Sequence, residues 1–321
     1  MTTYAADLAS IRAAAKRIAG KAHRTPVLTC ATLDGMAGRS LFFKCESFQK
    51  VGAFKFRGAL NAVLSLPEAR AANGVITHSS GNHAQAVALA ARMRGIPAYI
   101  VMPENSPAVK RRAVEGYGGK ITLCKPDVAD REATADRVRE ETGATLVHPH
   151  DDPDVIAGQG TVALELHEQV PGLDAVVAPV GGGGLLSGVA LATRELSPST
   201  RVFAGEPTGA DDAARSKAAG RFLPQTAPDT IADGLLTSLG EHTWPVIRDL
   251  VEEVITVDDD ATVQAMRLIW ERMKLVVEPS AAVALAAVLS GRFRTLRGIE
   301  RVGVVLSGGN LDLGHLPWKT G

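Results

Sequence analysis

The sequence predicts an α/β protein in two domains, each a mostly parallel sheet flanked by helices. Three observations carry this. Short apolar runs of strand length alternate with alanine-rich helical stretches along most of the chain. Polar or glycine-rich loops stand where a strand gives way to a helix, as with S-S-G-N-H at 79–83 and G-G-G-G at 181–184. At 321 residues the chain is long enough for about two domains.

Residues 1–18 have amphipathic helical spacing, and Arg24-Thr25-Pro26-Val27 breaks that pattern and starts an extended segment. Residues 40–44 (S-L-F-F-K) read as a strand running into E-S-F-Q-K-V-G-A-F-K-F-R-G-A-L-N at 46–61. From 57 to 66, Leu60, Val63 and Leu64 give a helix that stops at Pro67. Strand and helix then alternate: strand 74–78, helix 84–94 ending at Gly95, strand 98–102, helix 108–117, strand 120–124, helix 130–142, strand 145–147. Residues 71–148 are therefore expected to form a small domain inserted into a large one made of 1–70 and 149–321. In the second half, 156–160 is expected to lead into helix 161–169, followed by strand 174–179 and helix 185–196. Strand 201–205, a loop-rich region 209–239, strand 254–257, helices 258–273 and 281–289 and a buried strand 301–306 complete the pattern.

Lys and Arg number 35 and so do Asp and Glu, giving a net charge of +0, so nothing draws the chain to nucleic acid or an anionic membrane. Apolar residues at 45% and charged ones at 22% are ordinary for a globular protein. No apolar run approaches the roughly 20 residues of a membrane span, and the N-terminus lacks a signal peptide's basic start and apolar core. Cys30, Cys45 and Cys124 are odd in number and lack metal-ligand spacing. A reduced, cytoplasmic protein is expected.

Lys55 lies between Phe54 and Phe56, two residues before Arg57. Apolar surroundings and a second cation both disfavour an ammonium, and a neutral amine is what Schiff-base chemistry needs. Gly181 to Gly184, between an apolar strand and a helix, can turn with positive φ and offer several N–H groups to one anion. A phosphate is expected there, although the run has neither a Walker ending nor dinucleotide spacing. Ser79, Ser80, Asn82 and His83 stand at a strand-to-helix loop, where α/β sheets bind ligands, and suit a carboxylate; Ser80 or Asn82 as a plain helix cap is the alternative. Ser307 ends a buried strand at a sheet-edge crevice. Glu206, the Ala210 carbonyl and Asp212 offer oxygen ligands to a hard cation within one short loop. A cofactor with one aldehyde, one phosphate and one ring nitrogen would use the lysine, the glycines and the serine together. Pyridoxal 5′-phosphate fits that inventory.

The ordered set S-F-Q-K-V-G-A-F-K-F-R-G-A, S-S-G-N-H, G-G-G-G-L and S-G-G-N resembles the fold-type II pyridoxal-phosphate enzymes, whose fold is like that of the tryptophan synthase β chain. V-I-A-G-Q-G-T, T-I-A-D-G and W-E-R-M-K-L-V-V-E-P-S extend the likeness toward serine racemases and the 3-hydroxyaspartate and serine/threonine dehydratases. The resemblance implies Lys55 as the Schiff-base lysine and base on one face of the substrate, and Ser80 as the base on the other. It further implies Asn82 at the cofactor's phenolic oxygen, Gly181, Gly182, Gly183, Gly184 and Leu185 at its phosphate, Ser307 at its pyridine nitrogen and Phe54 beside it. Ser79, Ser80, Asn82 and His83 would hold the substrate carboxylate, and Arg131 and Ser238 its far end. Glu206, Ala210 and Asp212 match a divalent-cation site for Mg²⁺, with Ca²⁺ or Mn²⁺ as alternatives. His150 departs from the pattern, since the mammalian-type racemase has asparagine there. The resemblance also implies a homodimer, and no C-terminal regulatory domain of the kind that brings isoleucine feedback.

The expected activity is β-elimination of water from serine- or threonine-type 3-hydroxy amino acids, giving 2-oxo acid and ammonia, with serine racemisation at the same site. A dedicated 3-hydroxyaspartate dehydratase is the alternative, in which Arg131 pairs the distal carboxylate. A β-replacement synthase and a non-catalytic amino-acid sensor share the same lysine and glycine motifs.

Overall fold

The computed structural model describes residues 4–79, 81–106 and 108–318. Its ten strands, β1 Val27–Leu28, β2 Ser40–Cys45, β3 Val75–His78, β4 Ala98–Pro103, β5 Lys120–Cys124, β6 Thr145–Leu146, β7 Ala175–Pro179, β8 Arg201–Pro207, β9 Glu253–Val257 and β10 Arg301–Leu306, form two sheets. The first has the order β1-β2-β10-β7-β8-β9, parallel except for the β1–β2 pair. The second, β5-β4-β3-β6, is parallel throughout. All four of its strands lie between residues 75 and 146, so the chain leaves the first sheet after β2 and returns to it at β7. Parallel sheets require helical crossovers that bury both faces. Accordingly β7 and β10 read as near-continuous Val, Ala and Leu runs, and every residue of β7 is buried.

One face of the six-stranded sheet is covered by the alanine-rich helix Pro279–Leu289, the other by the helices Pro153–Gln169 and Gly184–Leu196. The helix Pro153–Gln169 begins earlier than the sequence suggests. Asp152 caps it, accepting from the amides of Asp154 and Val155, and the segment 156–160 is helical. Its glycines are contact points. A side-chain carbon at Gly158 would lie 2.5 Å from Gly58 Cα on the lysine-bearing helix Lys55–Ser65, so the two helices cross at backbone distance. Helices at Ala31–Ala37, Asp212–Ala219 and Thr243–Leu250 also escape the sequence pattern, the second lying inside the region expected to be loop-rich. Among the described residues no helix is long and apolar enough to cross a membrane. All three cysteines are free thiols.

Four buried charges tie the lysine-bearing helix to its neighbours. Arg57 donates from Nε and Nη2 to Glu46 at 2.7 and 2.9 Å, and from Nη1 and Nη2 to Glu165 at 2.7 and 2.9 Å. Lys44 reaches the same Glu165 at 2.7 Å, and Thr25 Oγ1 donates to Glu46 at 2.6 Å. The set balances two cations against two anions, and the side chains of Arg57 and Glu46 are fully buried. Removing one partner leaves an uncompensated buried charge. Arg57→Ala is therefore expected to cost about 3–5 kcal/mol of unfolding free energy, measured by urea denaturation; a loss within experimental error would remove the network from the account of stability.

Candidate active site

Ligands in α/β proteins bind outside the carboxyl ends of parallel strands, and here those ends from both sheets converge. β3 runs into Ser79, β6 into the loop His148-Pro149-His150, β7 into Gly181–Gly184 and β10 into Ser307. Lys55 begins its helix in the midst of them. Its Nζ donates to the Pro149 carbonyl at 2.7 Å and lies 5.3 Å from the Phe54 ring centroid. No carboxylate pairs with it among the described residues. Burial lowers its pKa to about 8, opposed only by the charge of Glu278. The direction agrees with the sequence reading, but the cause is narrower. Arg57 contributes nothing, because its charge is spent on Glu46 and Glu165.

Phe54 and Ser307 are tied through the backbone, with the Phe54 amide donating to the Ser307 carbonyl at 3.0 Å. Ser307 is buried. Gly183 has φ +85°, a left-handed conformation that glycine adopts freely, and it opens the helix Gly184–Leu196. Leu185 is buried in that helix's first turn. Among the described residues the amides of Gly181, Gly182 and Gly183 donate to no protein acceptor. Three free donors beside a helix N-terminus make a seat for an anion.

His150 closes one side of this seat. A side-chain carbon at Gly182 would fall 2.3 Å from its ring, so the imidazole lies directly on the glycine backbone. His148 packs edge-on against His150, with ring centroids 4.6 Å apart, and against His78 at 5.8 Å. Burial pushes the His150 pKa well below its usual value and that of His148 to about 4, with the charge of His148 a further cause for His150 and that of His78 for His148. Asp151 holds the loop in place, accepting from the amides of Glu241, His242 and Thr243 at 2.9–3.2 Å.

The asparagine loop is not a simple cap. Gly81 precedes the helix Asn82–Arg94 without a side-chain cap bond, and the Asn82 carboxamide turns elsewhere. Its Nδ2 donates to Glu278 Oε1 and Oε2 at 2.9 and 3.2 Å, while its Oδ1 accepts from Asn310 Nδ2 at 2.9 Å. Ser79 Oγ accepts from the Gly81 amide at 3.3 Å. Ser80 lies outside the described residues. His83 is buried behind the loop, its Nε2 at 3.0 Å from the Val147 carbonyl and its Nδ1 without a partner among the described residues. Arg131 stands near His78, whose pKa falls through burial and then through the Arg131 charge; the Arg131 Nε is buried and unpartnered. Ser238 is already engaged, its Oγ accepting from the Gln225 amide at 2.8 Å.

Glu206, Ala210 and Asp212 form a separate cluster at the end of β8. Glu206 accepts from the amides of Ala213 and Ala214 at 2.9 and 2.8 Å, and Asp212 Oδ2 from that of Leu239 at 3.0 Å. Asp212 Oδ1 is buried with no partner, and Ala210 is buried beside them. Burial raises Glu206 to about 8 and Asp212 to about 6. Among the described residues no three His, Cys, Asp or Glu side chains converge, so a cation here would lean on two carboxylates and a carbonyl.

Residues 18–308 match the family model described as "Pyridoxal-phosphate dependent enzyme". The chain belongs to that family. It is 54% identical over 320 residues to a serine racemase of Oryza sativa subsp. indica, covering 99% of this chain and 94% of that protein. It is 52% identical over 307 residues to a β-hydroxyaspartate dehydratase of Paracoccus denitrificans, covering 96% and 97% of the two chains. The solved structure of maize serine racemase superposes with a TM-score of 0.96 at 54% identity, covering 97% of this chain and 95% of that one. These findings establish a fold-type II pyridoxal-phosphate enzyme. The residues present fit the cofactor, with a part-buried amine of lowered pKa, three unused amides at a helix start and a buried serine at a strand end.

Sequence reading missed Glu278, which treats V-V-E-P-S as a mere interruption between helices. A glutamate flanked by Val277 and an alanine-rich helix was the available signal. Burial, then the charge of Asp233, raises its pKa to about 7. A folded pKa above the unfolded one means that the stabilising contribution is present below the unfolded value and is lost as pH rises through the folded value. Without cofactor, the protein should therefore lose up to about 3 kcal/mol through this group between pH 4.5 and 7. Glu278→Gln should flatten that part of the stability–pH curve, measured by chemical denaturation at pH 5 and 7.5. Parallel curves for the two proteins would contradict it.

Proposed function

We propose that this chain dehydrates serine- and threonine-type 3-hydroxy amino acids to 2-oxo acid and ammonia, and racemises serine at the same site. The observation that carries the reading is the buried Lys55 amine, without an acidic partner, facing the carbonyl of Pro149 between the glycine loop and Ser307. Pyridoxal phosphate, when bound, supplies the electron sink that makes the substrate Cα–H acidic. Gly181–Gly184 and Leu185 would hold its phosphate, Asn82 its phenolic oxygen and Ser307 its ring nitrogen, with Phe54 alongside.

With the cofactor bound, the Lys55 amine, of lowered proton affinity, would take the Cα proton on its own face. It then returns that proton to the departing β-hydroxyl, which leaves as water, and hydrolysis of the dehydrated product releases ammonia. Ser80 acts on the opposite face, where returning a proton inverts the centre. Ser79, Ser80, Asn82 and His83 bind the α-carboxylate. Ser307 is a neutral hydroxyl and would add no negative charge at the cofactor's ring nitrogen.

Arg131 favours a second reading. Its buried, unpartnered Nε, with Ser238 at the same far end, suits a substrate carrying a distal carboxylate, and a dehydratase for β-hydroxyaspartate is among the chain's close relatives. Initial rates on L-serine, D-serine, L-threonine and the 3-hydroxyaspartates separate the two. Lys55→Ala should lower every rate at least about 10³-fold and abolish the visible absorbance gained on adding cofactor. A protein that gains no such absorbance before substitution would sink the reading, and a Lys55→Ala variant with an intact ligand response would indicate a sensor.

Glu206, the Ala210 carbonyl and Asp212 are proposed to bind a divalent cation, Mg²⁺ first, with Ca²⁺ or Mn²⁺ as substitutes. The buried Asp212 Oδ1, unpartnered among the described residues, supports this, as does burial of two carboxylates whose neighbouring cation, Arg215, is paired with Asp211. Mg²⁺ should raise the melting temperature and a chelator lower it, whereas Glu206→Gln should abolish both responses. Equal responses in the two proteins would remove the cation from this site. Residues 1–70 and 149–321 are proposed as the large domain and 71–148 as the small one, in a cytoplasmic homodimer. Exposed Phe48 and Val276, carried by segments that meet at Gly309, support a second copy as partner.

A further inference from the structure

Val51 has φ 56° and ψ 13°, a left-handed conformation. Among the described residues it is the only β-branched one of the three non-glycine residues with positive φ. Such a residue keeps that conformation only when its surroundings impose it. Gly52 follows with φ +71°, so two consecutive left-handed residues turn the chain three positions before Lys55. The segment Ser307–Asn310 lies against this turn as a backbone zipper. The Phe54 amide donates to Ser307, Ala53 bridges Gly308, and the Gly309 amide donates to Gly52 at 2.9 Å. At its end the Asn310 Nδ2 donates to the Val51 carbonyl at 2.6 Å and to Asn82 Oδ1 at 2.9 Å, and the Asn310 amide donates to Glu278 at 3.1 Å. A side-chain carbon at Gly52 would stand 2.6 Å from Asn310 Oδ1, so only glycine admits the carboxamide there.

We propose that Asn310 is a positioning residue that clamps the strained Val51–Gly52 turn and the Asn82 carboxamide as one unit, fixing the start of the Lys55 helix and the orientation of Asn82 together. Each hydrogen of the Asn310 Nδ2 has one task. One holds the Val51 carbonyl in a place the valine would otherwise leave. The other requires oxygen at its Asn82 partner, which turns the Asn82 Nδ2 toward Glu278 and the cleft. A carboxamide is the side chain of this length that donates twice from one atom without adding charge. An aspartate would aim a second carboxylate at Glu278. The proposal rests on the reading of Lys55 and Asn82 given above, and goes beyond it in making their geometry depend on a residue to which that reading gives no contact with substrate or cofactor.

A double-substitution cycle of Asn310→Ala and Val51→Gly tests it, because glycine takes the left-handed turn without a clamp. In the holoenzyme, Asn310→Ala should raise the cofactor dissociation constant about tenfold, the effect of one lost hydrogen bond, and weaken the visible circular dichroism that reports the cofactor's setting. Val51→Gly in the same chain should recover a large part of both. In cofactor-free protein, Val51→Gly should cost less stability when residue 310 is alanine than when it is asparagine, a comparison that stands whether or not the catalytic reading does. Wild-type cofactor affinity and dichroism in Asn310→Ala with only a lowered melting temperature would overturn the proposal. So would strictly independent effects of the two substitutions.

Discussion

The ion pairs of Arg57 decide where Lys55 stands. The two residues share the first turn of one helix, so fixing the guanidinium fixes the amine. Arg57 is fully buried and meets Glu46 from the turn after β2 and Glu165 from the helix Pro153–Gln169, while Lys44 in β2 shares Glu165. Fork geometry matters here, because a planar guanidinium can meet two carboxylates at once where an ammonium would act as a point charge. Gly58 and Gly158 then let the two helices cross at backbone distance, close enough for the network to close. A buried ionic set is weak evidence for stability as such, but its loss is costly and its geometry is unforgiving. Its effect is to place a reactive lysine on a rigid element.

Burial governs the charge state of almost everything else in the cleft. Lys55 falls to about 8, His148 to about 4, and His83 and His150 well below their usual range, while Glu278 rises to about 7. All these shifts favour the neutral form, and desolvation is the largest cause of each. The cleft thus carries less charge than these groups would hold at their ordinary pKa values, with unspent backbone donors at Gly181–Gly183. Such surroundings suit a ligand that brings its own negative charge. They also explain why three neighbouring histidines are tolerated, since as imidazolium ions they would repel one another and Lys55.

Much of this was legible in the sequence because strand–loop–helix alternation is written in apolar periodicity, and because glycine runs and Ser-Gly turns mark strand ends. The lysine stretch, the glycine loop and Ser307 were legible for that reason, and the resemblance to a known family supplied the roles. What escaped depends on tertiary packing. The glycines of 156–160 look like helix breakers, yet they are helical because a partner helix needs their missing side chains. Helix Asp212–Ala219 follows a run of polar and small residues with weak periodicity, and its N-terminal amides are held by Glu206, which is remote from any capping pattern. Glu278 and Asn310 were passed over because their hydrogen bond becomes visible only when the segment before the helix Pro279–Leu289 and the segment after β10 are brought side by side.

His150 shows how local departures from a family pattern are absorbed. An imidazole is larger than a carboxamide, and here the extra ring has space because Gly182 offers no side chain against it. The loop that carries it is fastened at every position. His148 Nδ1 accepts from the Asp151 amide at 2.8 Å, Pro149 offers its carbonyl to Lys55, and Asp151 ties down three amides at the start of the helix Thr243–Leu250. A ring held this way cannot swing out to make room, so it shapes the wall that a ligand at the glycine loop must meet. Because the same loop accepts the hydrogen bond of Lys55, any shift forced on His150 reaches the amine within one residue. The histidine and the lysine are therefore one mechanical unit, joined through Pro149, and the chain's chemistry has to be accounted for with both.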